Sequence, residues 1–204
     1  MDESCESYSG GWNQEAGKEC DMIEELVIRH CSPTLAGLKT GNMFGCPCRD
    51  RREMKDMICR LNRMLVPKGL RVLPLHYTKA RVLLYLYRPS RLKEDLSKAE
   101  AKELLRREGY ACADCNQCIA RLMCRLREEE GFPHEIGLFL GYPPEDVKGF
   151  MEHRACGCKC VGCWKVYGDA ASAQQLFREY EQCTKRYWEQ WKQGQAVEQL
   201  VVAS

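Results

Sequence analysis

The chain has 204 residues, of which 31 are basic and 29 acidic, for a formal net charge of +2. That balance gives no general electrostatic drive toward nucleic acid or acidic membranes. A hydrophobic content of 45% beside 29% charged residues argues against general disorder. The N-terminus, MDESCESYSGGW, has neither a basic nor an apolar export region, and no apolar run approaches the roughly 20 residues of a membrane span. The expected compartment is therefore the cytoplasm, where fifteen cysteines read as buried thiols, metal ligands or redox thiols rather than a disulfide scaffold.

Residues 1–18 lack periodicity and read as a flexible leader; residues 19–194 read as one domain and 195–204 as a frayed tail. A helix fits Glu19 to Cys31, with Ile23, Leu26, Val27 and His30 on one face, stopped by Ser32-Pro33. Thr34 to Lys39 reads as a short strand and Thr40-Gly41-Asn42 as a turn. Asp50 opens a helix carrying Met54, Met57, Ile58, Leu61, Met64 and Leu65 at helical spacing, ended by Pro67 and Gly69. Its methionine stripe suits core filling or an adaptable groove. Leu70–Leu75 and Arg81–Tyr87 read as strands, the second apolar on both faces and the first nearer an edge because of Pro74.

Pro89 can start the next helix, Ser97 with Glu100 forms a capping box, and Gly109 closes that region. Asp114 caps a helix expected to run to about Glu130, burying Ile119, Leu122, Met123 and Leu126. Phe132 to Val147 is dense in Gly, Pro and apolar residues, and Pro144 can start a helix to about Arg154. Cys158–Tyr167 reads as a strand, and Asp169 caps a long last helix reaching Gly194. The expected architecture is α/β (mixed α+β): a single domain with a small mixed sheet, surrounding helices and a long C-terminal helix.

The motifs PTLAGLK (Pro33–Lys39), YRP (Tyr87–Pro89), FPHEIGLFLGYPPEDVKGF (Phe132–Phe150) and WKVYGD (Trp164–Asp169) resemble those of domain of unknown function family 3793, found mainly in anaerobic Firmicutes. The likeness runs from about residue 20 to 190. The resemblance implies no established activity. It implies a setting near flavodoxin and iron-uptake genes, and hence an accessory role in redox or iron metabolism with a redox protein such as a flavodoxin as partner. Typical family members carry aromatic residues near positions 158, 160 and 163, so the cysteines there are features of this chain.

Three chemistries are open. Cys112, Cys115 and Cys118 at CxxC spacing could hold zinc or an iron–sulfur cluster, alone or with Cys158, Cys160 and Cys163. His134-Glu135 is the start of a zincin motif, but Leu138 stands where its second histidine belongs; the pair remains a candidate for acid–base catalysis. Lys39, Arg88, Lys165 and Tyr167 fall at expected strand ends or beside turns, where α/β folds place ligand sites. With Tyr142 and Asp146 from the 132–146 loop they are candidates for an anionic ligand. The segment 136–150 has a helix-turn-helix flavour, but Pro143-Pro144-Glu145-Asp146 puts rigidity and negative charge where a DNA-reading helix would make contact, so no nucleic acid is expected.

Overall fold

The computed structural model describes residues 12–111, 114–128, 132–154 and 156–203, and the side chains from residue 22 onward. Helix α1 runs Trp12–Leu35, strand β1 Gly41–Pro47 and helix α2 Arg51–Leu65. A 3₁₀ turn, Val66–Lys68, leads to β2 (Arg71–Tyr77) and β3 (Arg81–Tyr87). Five helices follow: α3 (Pro89–Ser97), α4 (Ala99–Arg107), α5 (Cys115–Arg125), α6 (Ile136–Phe139) and α7 (Pro144–His153). A two-residue-per-strand hairpin, β4 (Cys160–Val161) and β5 (Lys165–Val166), precedes α8 (Ala170–Lys192) and α9 (Val197–Leu200). Among the described residues no helix is long and apolar enough to cross a membrane.

Strand β3 is central in the order β1-β3-β2, antiparallel to both neighbours. The main sheet is therefore antiparallel rather than mixed: β1 and β2 run the same way, joined by a crossover through α2, but β3 lies between them and pairs antiparallel with each. The period-2 alternation of β3 sends Val82, Leu84 and Leu86 into one core and Tyr85 and Tyr87 into another. The first core is closed by α1, α2, α8 and α9, and the second by α3 to α7. Pro74 lies on edge strand β2, beside an irregularity in register before His76.

Three local expectations are corrected. Thr34–Lys39 is not a strand: α1 continues through Pro33 to Leu35, and the amides of Leu38 and Lys39 both donate to the Pro33 carbonyl (2.8 and 3.1 Å). Gly37, at φ 75°, makes that helix-ending turn cheap. The first strand instead begins at Gly41, inside the expected turn. Cys158–Tyr167 is broken into a hairpin because Gly162, Cys163 and Trp164 reverse the chain between β4 and β5. The C-terminal stretch is packed, not frayed: Val197, Leu200 and Val201 are buried, and the Val202 amide donates to Leu35 O at 3.0 Å.

Candidate functional site

Two adjoining chambers meet at Phe132 and His134. The first, about 470 Å³, opens between the loop leading into α6, helix α7 and the β4–β5 hairpin. Its walls are Phe132, Tyr142, Phe150 and Trp164, with Ile136, Val147 and Lys165. The second, about 410 Å³, is polar and lined by Arg121, Arg125, Arg154, Glu108, Glu128 and Glu135.

Asp146 builds the aromatic chamber. It lies in the first turn of α7 and is 2% exposed. It accepts from Trp164 Nε1 (2.7 Å) and from the amides of Tyr167 (2.7 Å) and Gly168 (2.8 Å). One buried carboxylate thus pins the hairpin to α7. Trp164 then stacks on Tyr142 at 4.6 Å and meets Phe177 of α8 edge-on, also at 4.6 Å. Gly149 permits the close approach of Tyr167, whose ring would collide with any Cβ there.

His134 sits on the wall between the chambers. Its ring meets Phe150 edge-on at 4.9 Å, and its Nε2 lies 3.0 Å from Arg154 Nη1. A guanidinium only donates, so Nε2 accepts and the neutral ring carries its proton on Nδ1. Burial, then the Arg154 charge, pushes the His134 pKa down. Arg154 itself has φ 57° and ψ −113°, the only positive φ outside glycine among the described residues. Its carbonyl accepts from the Tyr167 hydroxyl.

The expected residues distribute unevenly over this geometry. His134, Tyr142, Asp146 and Lys165 line the aromatic chamber, and His134 and Glu135 the polar one. Glu135, 1% exposed, is already engaged: its Oε1 lies 2.9 Å from both Tyr110 Oη and Arg125 Nε. Tyr167 lies behind the chamber, bonded to Arg154. Lys39 is buried against Tyr142 and Tyr180, its Nζ 5.1 and 5.9 Å from the ring centroids. Arg88 is elsewhere: its guanidinium donates to the carbonyls of Thr34, Leu35 and Val202 at 2.6–2.8 Å and closes the end of α1.

Cys112 lies outside the described residues. Cys115 and Cys118 pack into the second core, Cys160 packs against Trp164 and its neighbours, and Cys163 is exposed on the hairpin turn. Among the described residues no three His, Cys, Asp or Glu side chains form a group that could hold a metal ion.

Arg121, Arg125 and Arg154 were not among the expected site residues. The first two stand four apart on the polar face of α5, a spacing visible in the sequence. Nothing in the sequence distinguishes Arg154 from any other basic residue at a helix end.

No curated protein and no solved structure matches the chain. The family model described as "Protein of unknown function (DUF3793)" matches residues 27–201, and the chain belongs to that family.

Proposed function

We propose that the protein binds a small molecule with a flat, apolar body in the cleft between α6–α7 and the β4–β5 hairpin. The observation that carries this reading is the chamber of about 470 Å³ walled by Phe132, Tyr142, Phe150 and Trp164. That volume falls within the range of roughly 300–1,000 Å³ typical of ligand sites, and aromatic walls with a few polar groups are their usual lining. The rigidity of the walls supports it further. Trp164 is held by Asp146, Tyr142 and Phe177 at once, so little ordering cost remains to be met on binding.

Binding rather than catalysis is favoured by the state of the two acid–base candidates. Glu135 is 1% exposed, with its Oε1 engaged by a phenol and a guanidinium, and the Nε2 lone pair of His134 is taken by Arg154. A general base needs a lone pair facing the reacting atom.

The test is a heteronuclear NMR titration with 2-naphthol, a neutral two-ring probe. Amide shifts concentrated on residues 136–150 and 161–165 are the expected result. Shifts that scatter, or that gather instead at the cleft of Met22, Met54 and Met57, would reject the reading.

A further inference from the structure

The charges around the two chambers are unequally matched. Glu128 pairs with Arg121 at 3.1 Å, and Arg125 pairs with Glu108 at 3.0 Å and Glu135 at 2.9 Å. The Asp146 carboxylate faces three N–H donors. Arg154 and Lys165 are different: among the described residues neither is paired with a carboxylate. Both stand around Phe150. Lys165 Nζ lies 5.4 Å from the Phe150 ring centroid, and the His134 ring, edge-on to the same phenyl group, holds the Arg154 guanidinium. Lys165 lines the apolar chamber and Arg154 the adjoining polar one, so two cations without a carboxylate partner stand on either side of the His134 wall where the chambers meet.

The backbone at Arg154 sharpens the point. Its φ of 57° and ψ of −113° belong to a region glycine enters easily and side-chain-bearing residues avoid. The strain is held in place from both ends: the residue's amide donates to Phe150 O at 2.8 Å, its carbonyl accepts from Tyr167, and its guanidinium meets His134. A helix end that needed only a cap would be better served by glycine. What arginine adds there is a planar, permanently charged fork, the group best shaped for an oxyanion.

We infer that the ligand is an oxyanion on a flat apolar body, such as an aromatic carboxylate or an aryl phosphate. Its ring lies against Phe150 and Trp164, and its charge at the junction of the two chambers beside His134, with Lys165 on the apolar side and Arg154 on the polar side. The inference rests on the cleft reading above and adds the ligand's charge, the residues that read it and the reason for the strained backbone.

The experiment compares three probes of one shape: neutral 2-naphthol, 2-naphthoate and 2-naphthyl phosphate, each titrated by calorimetry into the intact protein. At least one anion is expected to bind about tenfold tighter than 2-naphthol, the difference a charge-assisted pair of contacts supplies. The advantage should shrink as salt rises from 50 to 500 mM. Naphthoate ahead identifies a carboxylate, and the phosphate ahead a phosphate ester.

Arg154→Gly is the decisive variant. It should raise the Tm by relieving the strain and remove most of the anion's advantage over 2-naphthol. Lys165→Met should remove part of the same advantage without altering the backbone. If the anions bind no tighter than 2-naphthol, or keep their advantage in both variants, the charge assignment is wrong while the cleft reading stands. If none of the three binds, the cleft reading fails and takes this inference with it.

Discussion

Lys39 sits on two aromatic faces, is 5% exposed and makes no ion pair among the described residues. Burial lowers its pKa to about 8, against the opposing influence of the Cys163 and Cys31 thiols. Unfolded, the same amine titrates near 10.4. Between those values the unfolded chain holds the extra proton, so this group's contribution to stability rises with pH; below 8 both states are protonated and its penalty is constant. The neighbouring Tyr142 and Tyr180, pushed up to about 12 by burial, work in the opposite direction above pH 9. Subtracting the urea unfolding curve of Lys39→Met isolates the lysine. Wild type should gain on the variant by about 3 kcal/mol at most between pH 8 and roughly 10; a flat difference would mean the amine is hydrated. Asp146 gives a second expectation. Asp146→Asn puts an amide where three donors converge, and should cost about 2 kcal/mol and shift the Trp164 emission to the red as the hairpin loosens. Sequence placed both residues in a ligand site because polar groups beside turns often belong there. It could not show that Trp164, eighteen positions on, would claim the Asp146 carboxylate.

Helices α2, α5 and α8 were legible because each combines an Asp cap with an apolar stripe. Asp50 accepts from Arg52 N, Asp114 from Asn116 and Gln117, and Asp169 from Ala171 and Ser172. Strand β1 was not legible. Its sequence, GNMFGCP, has poor intrinsic strand character, and it is a strand because β3 offers it seven consecutive partners, Gly41↔Tyr87 through Pro47↔Arg81. The end of α1 is hidden from the sequence for a similar reason: what holds Thr34 and Leu35 in helix is Arg88, more than 50 residues away, bonding their carbonyls. Arg88 also binds the carbonyl of Val202, so one buried guanidinium joins α1, the start of α3 and the segment after α9. Arg88→Met keeps the stem and deletes the donors. It should destabilise the fold by about 3 kcal/mol, since buried carbonyls lose charged partners. Hydrogen exchange should speed first at residues 197–202; uniform acceleration would mean the tail is held by its apolar side chains alone.

The whole molecule is organised by β3 and α8, each of which belongs to two cores. Leu84 and Leu86 of β3 pack with α1, α2 and α8, while Tyr85 and Tyr87 pack with α3 to α7. Along α8, Cys183 and Tyr187 enter the first core, and Ala173 and Tyr180 a satellite core with Trp164 and Val166 of the hairpin. The cleft therefore has one wall on the α7 side of the sheet and another fastened through α8 to the opposite side. Such sharing predicts a single cooperative transition, because neither core keeps its strand if the other melts. Leu84→Ala in the first core and Leu104→Ala in the second should each cost about 3 kcal/mol, the usual scale for emptying a buried leucine site. At this chain length that lowers the Tm by about 10 °C. In both variants far-UV circular dichroism and tryptophan fluorescence should still melt together, although Trp164 reports the hairpin and Trp188 and Trp191 pack against the first core. Separate melting in Leu104→Ala would make the α3–α7 layer an independent unit, and the cleft between α7 and the hairpin would then open before the rest of the protein unfolds.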